Sequence, residues 1–488
     1  MNRRSSSPSL LPRPIRERIR FLVFCSITAL VTFELARQGV YHDGTVLLAA
    51  DLDDHGHCSS AMSRPSRIGG GTPGFHVFEN LWYHDGAYHV FSDEQTEIQA
   101  RDVVGGALDL HFRPASERPN IGTVNETYCF AGTTALYNDG SSPDSTPTLF
   151  EKYYHFAAEN LLGTMAALAT FDFPPQGPLG WWYRLTGDRS STIPNPPDRL
   201  VMPWTNSWKD GYGINELVVN GVYRSRLRVK EDWEEIIRAR SGPDSGSESG
   251  SPWIAFEKVV IVDREAFVQS SSSSSSSASS DGWNKLALPI TSRAPSPYFW
   301  TPTRRAMMSY VAAPFFERAL PGARLGPVPK VVYIDRQASK RRLRHEDHLG
   351  LMDTLLSLRD SGRIAFKHAK LEDLSHAEQV TMVSDADIIV GVHGNGLTHL
   401  LWMPHGGNVV EFFPPDSFTR DYEVPATALG HTYHAIRNDT IHPPEQWVVD
   451  EPSVESLRAG MDLPLDTDFV ASFLGDLVDG MAIKTSYL

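Results

Sequence analysis

The spacing of apolar positions changes character about two thirds of the way along the chain. From residue 331 onward, short apolar runs alternate with segments of helical period. The order is strand VVYIDR (331–336), helix 345–359, strand RIAFKH (363–368), helix 376–383, strand DIIVGV (387–392), helix 397–403 and strand NVVEFF (408–413). Strands separated by helices at this spacing predict a parallel, Rossmann-like sheet, whose ligands sit beyond the C-terminal strand ends. Ser375 and Glu378 stand at capping-box spacing before the second helix, and residues 467–481 read as a closing helix.

The earlier part is less regular. Residues 74–93 alternate apolar and polar positions about His84-Asp85-Gly86, the signal of a β-hairpin. Residues 151–170 read as an amphipathic helix, with Tyr154, Ala158, Leu161, Leu162 and Met165 at helical spacing and a stop near Pro174. Segments 200–223 and 256–267, the latter containing the strand KVVIV, fit a mixed α/β domain, and a helix is expected over 304–320. Ser-rich stretches at 241–251 and 270–280 bury too little apolar area to order themselves and read as loop insertions.

The chain has 488 residues, 41% of them hydrophobic and 21% charged, enough for two cores facing a cleft. The formal net charge of -14 argues against a nucleic-acid partner, so any anion site is local. Arg3, Arg4, Arg13, Arg16, Arg18 and Arg20 precede an apolar run from Phe21, a basic flank that reads as cytosolic. The expected organisation is a cytosolic tail (1–20), a signal-anchor membrane segment (21–37), a stem (38–72), an N-terminal α/β domain (73–303) and a C-terminal nucleotide-binding domain (304–488). A cleaved signal peptide competes with the anchor. Sequons at Asn125 and Asn438 agree with a lumenal location, and of three cysteines, Cys58 and Cys129 are left as a candidate disulfide.

The strongest chemical signal is Gly391-Val392-His393-Gly394-Asn395-Gly396-Leu397-Thr398-His399, which follows an apolar strand and opens a short helix. Glycines there let backbone N–H groups approach a diphosphate closely, and they place His393, Gly394, Asn395, Gly396, Leu397 and Thr398 among the donor-binding candidates. The competing reading is a tight turn without a ligand. Arg336, Arg341 and Arg342 belong to the basic loop RQASKRRLR, where cations neutralise a leaving nucleoside diphosphate; the plain alternative is a solvated loop. Glu411, inside the following strand, is a candidate acceptor for ribose hydroxyls or else a solvent-facing residue. Asp385/Asp387 and Asp466/Asp468 are D-x-D pairs too common to imply a metal, and no required metal or other cofactor is expected. His155 and Glu159, four apart on one helical face, are candidates for the proton transfer, with Asp263 behind them.

The block DADIIVGVHGNGLTHLLWMPHGGNVVEFFP closely resembles the signature of glycosyltransferase family 61. RRLRHEDHL is similar to that family's basic segment and KYYHFAAENLLG to its His-containing helix, while FHVFENLWYHDGAYHVF, PWTNSWKDGYGIN and FEKVVIVDREA look like its fungal branch. The resemblance implies a GT-B-like fold of two Rossmann-like domains facing a cleft. It also implies inverting transfer from a UDP-sugar, of the xylose or N-acetylglucosamine class, to a glycan or glycoprotein hydroxyl, and a type II membrane protein of the Golgi or endoplasmic reticulum. Departures from the pattern fall at Asn395, His399 and His345, where many members carry other residues. A non-catalytic glycan-binding or scaffolding protein on the same fold is the alternative. No Gly-x-Ser-x-Gly elbow or His-Glu-x-x-His helix supports a hydrolase, and a basic loop stands where a dehydrogenase needs its glycine fingerprint.

Overall fold

A computed structural model describes residues 60–106, 108–119, 127–141, 149–172, 194–240, 251–273, 285–318, 321–415, 417–447 and 460–483. The expected tail and membrane segment, most of the expected stem, Asn125 and most of both Ser-rich stretches lie outside them. Among the described residues, no helix is long and apolar enough to cross a membrane.

Two sheets carry the fold. The first contains β1 (Arg67–Thr72), β2 (Phe75–His84), β3 (Ala87–Phe91), β4 (Asp109–Arg113), β5 (Thr127–Tyr137), β6 (Arg199–Val201), β7 (Leu227–Arg228) and β8 (Trp253–Val262). Its order is β4-β3-β2-β8-β5-β6-β7, with β1 also on β2. The hairpin is as read: Asp85 and Gly86 form the two-residue turn at φ 48° and 82°, the geometry that matches strand twist. That hairpin, together with the antiparallel pairing of β2 with β8, makes the sheet mixed. β1 lies in the segment expected as stem, so the folded region begins before residue 73.

The second sheet is the parallel one that the period predicts. It contains β9 (Lys330–Asp335), β11 (Ala365–Lys370), β12 (Ile388–Val392), β13 (Asn408–Phe412), β14 (Thr432–Arg437) and β15 (Thr440–Ile441), in the order β11-β9-β12-β13-β14-β15. Only β15 runs antiparallel. A separate short pair, β10 (Arg342–Leu343) with β16 (Asp462–Leu463), closes the basic loop. The capping box of Ser375 and Glu378 is formed, and Asp466 caps the closing helix Thr467–Ile483 through the Phe469 N–H at 2.9 Å.

Three helical expectations need correction. Helix Leu162–Asp172 is buried on every side from Leu162 to Ala169 rather than amphipathic, and the turn before it, Tyr154–Leu161, is a π-helix. The helix expected over 304–320 runs Thr301–Tyr310. Pro302 starts it, Ala312 at φ 55° turns the chain out of it, and Pro314 has no N–H with which to continue it. The Ser run is helical up to Ser273, as the end of helix Arg264–Ser273.

The expected boundary at 303/304 is not a gap in the packing. The described residues fall within one compact unit, Cys58–Leu488. A single apolar core takes Phe75, Val77 and Tyr137 from the first sheet, Leu161, Leu162 and Met165 from the buried helix, and Val332, Ile334, Ile389 and Val409 from the second sheet. Trp300 Nε1 donates to the Leu401 carbonyl at 2.7 Å across that boundary.

Candidate functional site

The parallel strands of both sheets point their C-terminal ends at the same region. β5 and β8 end side by side, with Tyr137 opposite Val262, and deliver Asp139, Asp263 and Arg264. In the second sheet β9 delivers Arg336, β12 delivers His393, and Glu411 sits on β13 opposite Gly391.

In Tyr154–Leu161, every residue except His155 is buried. Apolar neighbours seal this π-helical turn, and it presents one imidazole outward, a placement typical of functional π-turns. His155 Nδ1 lies 2.5 Å from Glu159 Oε2, and Arg264 Nη2 donates to the same oxygen at 2.6 Å. Burial pushes the Glu159 carboxyl up, but Arg264 and then His155 outweigh it and hold it well below the usual carboxylate range. Glu159 is therefore a fixed anion that orients the ring. The other ring nitrogen, His155 Nε2, has no hydrogen-bond partner among the described residues. Asp263, the third candidate, is occupied as a cap: it accepts from the N–H groups of Ala266 at 2.8 Å and Gly105 at 3.0 Å and from Asn138 Nδ2 at 2.8 Å.

Opposite lies the glycine-rich turn. Gly394 adopts φ 150°, and a Cβ there would stand 2.0 Å from Arg336 Nη1, so the missing side chain is what lets the guanidinium rest on the turn. A Cβ on Gly396 would meet Ile334 and Leu371 at 2.9 Å. The short helix expected over 397–403 is a 3-10 helix, Asn395–Trp402, tighter than an α-helix. The Arg336 guanidinium has no hydrogen-bond or ion-pair partner among the described residues, and burial pushes it down from its ordinary value. Such a cation is short of an anion. Half-buried Arg341 is likewise without an ion pair among the described residues, whereas exposed Arg342 is tied to Asp462 at 2.7 Å.

The two halves of the site are joined directly. The Tyr154 N–H donates to Asn395 Oδ1 at 3.0 Å, which accounts for an asparagine in this turn, and Trp402 Nε1 donates to Tyr153 Oη at 2.7 Å. His393 is 4% exposed; its Nδ1 lies 2.5 Å from Glu411 Oε1 and its Nε2 lies 3.7 Å from Asp421 Oδ2. Asp421 is paired in turn with Lys285. Burial raises the Asp421 carboxyl, but Lys285 and then His393 bring it below its ordinary value. Glu411 is fully buried, with Tyr433 Oη on its other oxygen, so it holds His393 rather than facing solvent.

Of the expected residues, the structure gathers His155, Glu159, Arg336, Arg341, His393, Gly394, Asn395 and Gly396 about one place. Leu397 and Thr398 belong to the turn but turn their side chains inward, and His399 is a core histidine bonded to Gln379 at 3.1 Å. Asp387 is held by Arg318 at 2.9 Å, and Asp385 by Lys330. Arg264, Lys285, Asp421 and Tyr154 were not singled out. Only Arg264, directly after an apolar strand end, carried a local signal.

A parallel-sheet α/β protein with a cation-bearing glycine turn facing a histidine–carboxylate pair has the parts needed to receive an anionic donor and deprotonate a hydroxyl. The chain belongs to the glycosyltransferase 61 family, whose model matches residues 153–410. It is similar to protein O-linked-mannose beta-1,4-N-acetylglucosaminyltransferase 2 of Canis lupus familiaris, 33% identical over 106 residues, which cover 20% of this chain and 18% of that protein. A second relative is the EGF domain-specific O-linked N-acetylglucosamine transferase of Drosophila melanogaster, 29% identical over 84 residues, 17% of this chain and 15% of that one. The matched segments thus span less than a fifth of these relatives' length.

Proposed function

We propose that this chain is an inverting glycosyltransferase that moves a sugar from a UDP-sugar donor to a hydroxyl of a glycan or glycoprotein. The carrying observation is the unpaired Arg336 guanidinium lying on Gly394, across from the His155–Glu159 pair. In this reading Arg336, Arg341 and the backbone of residues 393–396 take the diphosphate and neutralise the charge that develops as the bond from sugar to phosphate breaks. His155 Nε2 removes the proton from the acceptor hydroxyl as that oxygen attacks the anomeric carbon, and Glu159 fixes the ring for the transfer. His393, held by Glu411, borders the diphosphate site.

N-acetylglucosamine heads the list of sugars because both relatives are named as transferases of it, and xylose is the second candidate. The two-domain GT-B arrangement and attachment to a Golgi or endoplasmic reticulum membrane by the N-terminal segment are part of the same proposal. Cys129 is disulfide-bonded, which supports an oxidising compartment.

The test is a screen of UDP-sugars for hydrolysis and transfer by the full-length protein with and without EDTA. One UDP-sugar should be consumed with the chelator present. His155→Ala should lower kcat about 10²- to 10⁴-fold with donor binding retained, and Arg336→Ala should act chiefly on donor KM. A protein that neither binds nor turns over any nucleotide sugar would leave the proposal without its donor.

A further inference from the structure

We infer that Asp335 and His368 form a positioning pair that aims Arg336 at the donor diphosphate; this rests on the donor-site reading above. The Arg336 guanidinium has no ion pair or hydrogen bond among the described residues to set its direction, so the backbone on which it stands must set it. That backbone is fixed one residue earlier. Asp335 is the last residue of β9 and is 5% exposed. Its Oδ1 accepts from the Gln337 N–H at 2.7 Å, folding the chain over Arg336, and the Ser339 N–H donates to the Arg336 carbonyl at 2.8 Å to complete the turn.

The other oxygen, Oδ2, accepts from His368 Nε2 at 2.8 Å. His368 is on the edge strand β11, directly opposite Tyr333, and its ring lies parallel to the Tyr333 ring at 5.7 Å and 7°. Tyr333 is tied to helix His345–Asp360 by its hydroxyl, 3.1 Å from His348 Nδ1. The imidazole is thus held by stacking, and it holds the carboxylate. A carboxylate beside a diphosphate site repels the ligand unless its charge is engaged, and both oxygens of Asp335 are engaged, by Gln337 and His368. A plain strand-end cap would need only the bond to Gln337. The second bond restrains the rotation of Asp335, and through it the register in which Arg336 leaves the sheet.

The experiment uses the full-length protein with UDP as the calorimetric probe and the UDP-sugar it consumes for kinetics. His368→Phe keeps a ring on Tyr333 but has no donor for Asp335. His368→Gln keeps an N–H donor and loses the ring. His368→Phe should weaken UDP and raise donor KM about tenfold, as expected when a small misplacement upsets a binding group, with kcat within about twofold. His368→Gln should recover most of that loss. Asp335→Ser, which retains an acceptor for the Gln337 N–H but cannot reach His368, is the second variant and should weaken UDP by the same order should His368→Phe fail to fold. Wild-type UDP affinity in folded His368→Phe overturns the inference, as does a His368→Gln no better than His368→Phe. Arg336→Ala separates the two readings: if it leaves UDP binding intact, the donor site itself is wrong, whereas if it abolishes binding while folded His368→Phe does not, the positioning role alone falls.

Discussion

At the scale of single residues, the spacing of His155 and Glu159 is visible in the sequence, but their different roles are not. Two titratable groups four apart on a helix are interchangeable candidates until Arg264, 105 residues further on, is found on the shared oxygen. That guanidinium holds the Glu159 carboxyl low, and for that reason the proposed proton acceptor is His155. Glu159→Gln should therefore reduce kcat by about one to two powers of ten with donor KM little changed, because the ring loses its orienting charge but keeps its place. Steady-state kinetics over a range of donor concentrations reads this directly, and a Glu159→Gln enzyme with unaltered kcat would mean that the proton goes elsewhere. Removing Arg264 instead leaves a buried carboxylate with only His155 beside it and should cost a few kcal/mol of stability, about 3 at most.

The scale of elements is where sequence reading did best. A strand, a glycine-rich turn and a following helix were legible because the apolar run and the glycines are contiguous, and the capping box of Ser375 and Glu378 is written in four residues. What stayed hidden was why the glycines are needed. Gly394 makes room for Arg336, from a strand ending about 60 residues earlier, and Asn395 accepts from Tyr154 in the other half. Gly394→Ala puts a Cβ into the space of the guanidinium and strains a backbone at φ 150°. It should raise donor KM at least tenfold and lower stability by about 1–3 kcal/mol. Donor titration and urea unfolding of the same preparation check both, and an unchanged donor KM would show that Arg336 takes no part in binding. The misread helices share a cause: periodicity finds an apolar face but cannot tell one buried face from burial all round, as from Leu162 to Ala169.

Across the whole molecule, one core joins the two sheets, so cold spots in packing do not separate an acceptor half from a donor half. Several histidines are sealed inside it. Burial lowers His399 from an ordinary 6.5 to about 3 and His76 to about 4, and each is neutral in the fold. Between those values and 6.5 the unfolded chain binds more protons, so stability rises with pH and is lost on acidification, at up to about 1.4 kcal/mol per unit pH for each group. Glu159, held low, adds its own loss only further toward acid, because its contribution disappears as pH falls through a depressed value. Urea unfolding should therefore show lower stability at pH 5 than at pH 7. Equal stability at the two would mean that these histidines are hydrated or charged in the native state.

The sequence by itself determined the parallel sheet of the second half, the hairpin, the glycine turn, the His155 helix and the family, because each is carried by neighbours within a few turns or strands of one another. The tertiary structure decided the mixed first sheet, the burial of Glu411 behind His393, the engagement of Asp263 as a cap and the arrival of Arg264, Lys285 and Asp421 at the site. Those depend on which strand ends lie side by side and on which charges meet once water is excluded, and neither quantity has a period that a single chain can display.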